Sequence, residues 1–149
     1  MSQTAIYHTK VTWRGKHLGH IEMGNGPEMD FSAPPDDKGL PNVLTPEDTF
    51  VAAVNTCIML MFLWSCERLK LKLLSYECQA EGTKQIELDK TEIFTKVQLF
   101  PKITIKAEGE TPDRIKARLH KALKSAQKYS LVANSIKSEV IIEPVIEIS

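Results

Sequence analysis

The sequence carries no excess charge of either sign, with 19 Lys plus Arg against 19 Asp plus Glu. No global field is left to hold nucleic acid or an anionic membrane. A neutral chain is also poorly protected against self-association, which favours an oligomer. Cysteine is scarce and odd in number, three among 149 residues. Cys57 and Cys66 lie nine residues apart in one apolar segment. On a helix they are half a turn out of phase and about 13 Å apart, beyond the roughly 7 Å between Cα atoms that a bridge tolerates. A secreted disulfide scaffold is excluded, and free thiols in a reducing compartment are expected. The opening Met1–Ala5 has no basic patch leading into an apolar stretch, so no signal peptide is expected. The longest apolar run, Phe50 to Trp64, is interrupted by Asn55 and Thr56 and is shorter than the ~20 residues of a membrane span. These absences point to the cytoplasm, with no membrane and no nucleic-acid partner.

Several chemistries lack their residues. There is no zinc-type Cys/His spacing, no glycine-rich phosphate loop and no serine in a nucleophile elbow. His17 and His20 are three apart in a strand and so face opposite sides. Neither a metal nor a cofactor is implied.

What remains is an ordinary globular composition, 42% hydrophobic and 26% charged, long enough for one domain, 1–149, with its own core. Thr4 to Trp13 alternates as a strand, Arg14-Gly15-Lys16 reads as a tight turn, and His17 to Met23 as the return strand. A short third strand is expected over Glu28 to Phe31. Ser32 to Leu44, rich in Pro and Asp, reads as a loop without regular structure and a candidate flap. After the central helix, Leu69 to Glu81 reads as a strand with a bulge near Leu73-Leu74, and Gly82-Thr83-Lys84 as a turn. A long strand follows over Glu92 to Ile105, with Pro101 suggesting an edge or a bulge. Thr111-Pro112-Asp113 opens a second helix whose far face carries Arg114, Lys116, Arg118, Lys121, Lys124 and Lys128. Most such basic runs are solvated surface; the alternative is a site for an acidic partner. A short helix or turn over 129–135 and a strand from Glu139 to Ile148 close the chain. The fold class is α+β, with a largely antiparallel sheet around a long central helix.

That helix, Thr45 to Arg68, organises the rest. Thr45 can cap it, Pro46 suits its first turn, and Glu47 and Asp48 place negative charge at its positive end. It is apolar almost all round and must be buried on most sides. Cys57 sits within it. A free cysteine usually behaves as a small hydrophobe, whereas a reactive one needs a nearby cation. No cation lies within four residues of Cys57, so one would have to come from elsewhere, and Arg14 is available.

Thr45-Pro46-Glu47-Asp48-Thr49-Phe50-Val51-Ala52-Ala53-Val54-Asn55-Thr56-Cys57 resembles the signature of the OsmC/Ohr family, the osmotically inducible and organic hydroperoxide resistance proteins. Lys128 to Ile136 resembles that family's second signature. The resemblance covers nearly the whole chain. It implies an OsmC-like fold in an intertwined homodimer, and a thiol peroxidase of the stress response. Cys57 would be its peroxidatic, redox-active cysteine, with Arg14 and Glu47 as activating partners. Ser130 stands where the family normally carries its resolving cysteine. Serine cannot form a disulfide, so an external thiol must resolve oxidised Cys57, or turnover is weak. Glu47 and Cys57 are ten residues apart on one helix, ~15 Å along it, so a shared site needs the glutamate of a second subunit. The expected reading is a one-cysteine hydroperoxide reductase. Its alternatives are a weakly active or inactive protein binding a small apolar ligand at the dimer interface near Met61 and Ser130, and a structural dimer using the basic helix.

Overall fold

The computed structural model describes residues 2–149. Backbone contacts divide the chain into two units, Met1–Phe50 and Val51–Ser149.

The first unit is a three-stranded antiparallel sheet, β1 (Thr9–Trp13), β2 (Leu18–Met23) and β3 (Glu28–Ser32), in that order. The first strand is shorter than the alternating pattern suggested, because pairing with β2 begins only at Thr9 opposite Met23. The β1–β2 turn is held by Arg14 N–H donating to Leu18 O (2.9 Å) and Leu18 N–H to Gly15 O (3.0 Å). Gly15 adopts φ +100° there, a value open mainly to glycine. The Pro-rich loop is not wholly irregular: Pro35–Asp37 forms one 3-10 turn, consistent with proline's fixed φ at a helix start.

The central helix, α1 (Pro46–Arg68), begins where its capping signals indicate. Thr45 Oγ1 accepts the Asp48 N–H at 3.1 Å and donates back to Asp48 Oδ2 at 3.0 Å. At 23 residues α1 extends beyond the apolar run and is long and apolar enough, by length and composition alone, to cross a membrane. Its Phe62 and Cys66 lie instead in the core of the second unit.

In that unit β4 (Leu73–Ile86) and β5 (Glu92–Ile105) form a long antiparallel pair. The expected bulge is present between Leu73 and Ser75. The expected turn at Gly82-Thr83-Lys84 is not: β4 runs on to Ile86, and the turn falls at 87–90. Gly82 serves packing rather than turning, since a Cβ there would come within 2.7 Å of the Val51 side chain on α1. Pro101 is at neither an edge nor a bulge. It is buried in the central strand, where the neighbour changes from β6 (Glu139–Ile142, opposite 96–99) to β7 (Val145–Ile148, opposite 102–105). The closing strand is thus two strands, broken at Glu143-Pro144, and both run parallel to β5. The reason is α2 (Pro112–Tyr129) and α3 (Leu131–Asn134), which carry the chain back over the sheet, the connection that parallel pairing requires. Ile115, Leu119 and Ala126 of α2 pack with Phe62, Ile103 and Ile105 to form the core. The class is α+β with antiparallel-rich sheets, as the residue pattern indicates.

Candidate active site

The second unit brings Cys57 and Ser130 together. Cys57 lies half-buried near the middle of α1. Ser130 ends α2 and starts α3, and it is fully buried. Its hydroxyl donates to Cys57 Sγ at 3.1 Å, while Ser130 Oγ accepts the Ala133 N–H at 3.1 Å. The second contact is an N-cap. It occupies a lone pair of the oxygen and so leaves the proton directed at the sulfur. The contact gives the sulfur a hydrogen-bond donor and fixes its position against α3. The sequence marks Ser130 as a missing thiol and as a neighbour of an apolar ligand, not as a donor to Cys57; the signal for that contact is a serine placed to cap the helical residues Leu131 to Asn134.

The other two thiols sit in environments that disfavour the thiolate. Burial pushes the Cys66 thiol up to about 11, with the charge of Glu67 adding to it. Cys78, on β4, is also raised by burial, partly offset by the nearby Tyr76 hydroxyl and the backbone at Phe100. All three cysteines are free. Asn55, two residues before Cys57, donates from Nδ2 to the Cys78 carbonyl at 3.2 Å and ties this turn of α1 to β4. Sequence reasoning passed over this residue. Met61 is half-buried and packs against the core.

Arg14 and Glu47 belong to the first unit. Arg14 is exposed in the β1–β2 turn and lines, with Lys16, His17, Lys38 and Leu40, a cleft of ≈400 Å³. Among the described residues no ion pair joins Arg14 to Glu47. Glu47 Oε1 is buried and takes no hydrogen bond, an arrangement that costs free energy unless a donor or cation completes it.

The OsmC family model, described as OsmC-like protein, matches residues 38–145. Solved structures share the fold. An OsmC-like protein of unknown function from Vibrio cholerae superposes with a TM-score of 0.84 at 25% identity, covering 95% of this chain and 100% of that one. An organic hydroperoxide resistance protein from Elizabethkingia anophelis gives a TM-score of 0.74 at 16% identity, with 100% of both chains covered. Another, from Bacillus subtilis, gives 0.60 at 18% identity, covering 97% and 100%. No curated protein sequence matches the chain.

Proposed function

Since the chain belongs to the OsmC family, we propose that it is a one-cysteine thiol peroxidase acting on organic hydroperoxides, with Cys57 as the nucleophile. The observation that carries the reading is the buried Ser130 hydroxyl donating to Cys57 Sγ at 3.1 Å. The Cys57 thiolate attacks the terminal oxygen of ROOH, the O–O bond breaks, and the alkoxide leaves as ROH on taking a proton. Cys57 becomes a sulfenic acid. With serine at 130 it finds no thiol there and is reduced by an external one. Similarity in fold to proteins named for organic hydroperoxide resistance supports the substrate class.

Arg14 and Glu47 complete the site from the partner subunit of a homodimer. The uncompensated Glu47 Oε1 orients and balances Arg14, whose guanidinium polarises the peroxide and holds the thiolate. The test is turnover of cumene hydroperoxide with a thiol reductant, for the native protein against Cys57→Ser. Equal rates would sink the proposal. A second reading, an apolar ligand held beside Met61 and Ser130, is favoured by the exposure of Leu60, three residues after Cys57, and of Leu131, which follows Ser130. Native mass spectrometry of the purified protein would reveal such a ligand, and its removal would then leave peroxidase turnover at zero.

A further inference from the structure

The cleft of the first unit carries charge of one sign. It lies between the β1–β2 turn and the loop that follows β3, and its volume of ≈400 Å³ suits a small molecule. Arg14, Lys16 and His17 line it from the turn, and Lys38 from the loop. Among the described residues that line it, none is acidic. Asp36 and Asp37 precede Lys38 in the 3-10 turn, yet neither lines the cleft. Arg14, Lys16 and Lys38 are exposed, and none of them joins an ion pair among the described residues. Leu18 and Leu40 add apolar wall. The walls are tied together without a ligand. Ala33 N–H donates to His17 O at 3.3 Å and joins the loop to the turn. Ser32 is buried, and its Oγ accepts the Leu40 N–H at 3.1 Å. Gly39 N–H donates to Pro34 O at 3.0 Å, and a Cβ at Gly39 would collide with the Ala33 carbonyl, so glycine lets the loop fold this tightly. A cleft held in shape costs a ligand less ordering.

We propose that this cleft binds a small organic anion, a carboxylate carried on a short apolar chain. The guanidinium of Arg14 is a planar fork that matches one carboxylate. Lys16 and Lys38 add fixed positive charge around the same hollow, which raises the local concentration of an anion. A bare inorganic anion would leave Leu18 and Leu40 against water, whereas a short hydrocarbon chain is better placed on them than in water. A neutral apolar molecule would leave the cations unanswered. Arg14 also serves the peroxide site proposed above, but the anion needs neither Cys57 nor turnover to bind, since every residue named lies within Met1–Phe50.

Trp13 supplies a reporter for the test. Its indole Nε1–H donates to the Lys16 carbonyl at 2.8 Å, so an anion seated beside Lys16 shifts that resonance. The full-length protein, labelled with nitrogen-15, is titrated with hexanoate, 1-hexanol, hexylammonium and inorganic phosphate. The expected result is saturable movement of the Trp13 indole and of the amides of 14–18 and 38–40 with hexanoate, at least tenfold tighter than with any of the other three. In Lys16→Glu/Lys38→Glu the hexanoate affinity should fall at least tenfold, and 0.5 M salt should weaken it in the native chain. Leu40→Ser, which keeps every cation, should weaken hexanoate and leave phosphate unchanged, so the apolar wall is tested even if charge reversal prevents folding. Equal affinity for hexanoate and 1-hexanol, or shifts that fall outside these two segments, overturns the site. Phosphate binding as tightly as hexanoate shows that the apolar wall takes no part and overturns the organic ligand. Hexyl phosphate is the remaining arm: if it binds at least tenfold tighter than hexanoate, the ligand is a phosphate ester and the assignment to a carboxylate fails.

Discussion

Ser130 performs two tasks with one oxygen, capping α3 and holding Cys57 Sγ, and its substitutions separate them. A hydrogen bond to a charged group contributes about 1.5–3 kcal/mol. Ser130→Ala should therefore slow sulfenic acid formation by roughly ten- to hundredfold, followed by stopped-flow loss of hydroperoxide. Ser130→Cys places a second sulfur where the hydroxyl stands, 3.1 Å from Sγ. One equivalent of hydroperoxide should then yield an intramolecular disulfide, two thiols lost and no sulfenic label, whereas the native protein keeps the label on Cys57. Cys66 should stay unlabelled in both, since burial holds it up to about 11; mapping label to Cys66 would contradict this. Cys57 stands out as a candidate from its place in a motif. The role of Ser130 does not, because it depends on how the chain turns between α2 and α3 and on which atom of α1 lies across the gap. Neither is written in the local pattern.

At the scale of elements, periodicity located nearly every helix and strand, and its errors have one source. Gly82 looks like a turn when only its neighbours are read, yet it is placed by the approach of α1 to β4. Restoring a Cβ should expose this: it would meet Val51 Cγ2 at 2.7 Å and the Phe94 ring at 2.9 Å. Overpacking of this kind costs about 1–3 kcal/mol, so Gly82→Ala should lower Tm by several degrees in calorimetry while leaving helix content unchanged. The parallel pairing of β6 and β7 and the central position of Pro101 were equally out of reach, since both follow from a crossover that the strand residues themselves do not encode.

The first sheet carries a pH signal of its own. His20 on β2 has Nδ1 at 2.8 Å from Asp30 and Nε2 at 3.2 Å from Glu28, both on β3. Its pKa is raised above 6.5, chiefly by the Asp30 hydrogen bond and further by Glu28, against the lowering effects of desolvation and the Arg14 charge. A raised folded-state value means that the stabilisation is complete below about 6.5 and lost as pH climbs through the higher value. Amide exchange in β2 and β3 should accelerate beyond the intrinsic base-catalysed trend across that window, and His20→Gln should remove the excess.

For the molecule as a whole, large apolar side chains stand open in both units. Val11 and Trp13 are 62% and 76% exposed on β1, and Trp64 is 58% exposed on α1. Burying these side chains against a partner would be favourable, and a chain without net charge has little to oppose pairing. The proposed homodimer makes a sharper demand than mass alone. If Cys57 works with the Glu47 of its partner, then Cys57→Ser and Glu47→Gln are each inactive as pure dimers. A mixed dimer of the two has one intact site, built from Cys57 of the Glu47→Gln chain and Glu47 of the Cys57→Ser chain. Random exchange in an equal mixture makes half the dimers mixed, each with one good site of two, so about a quarter of native activity should return. A site drawn from a single chain predicts no recovery at any ratio. Unfolding the two variants together, refolding them and assaying hydroperoxide turnover decides between these outcomes, with sedimentation used to verify that the mixture has paired.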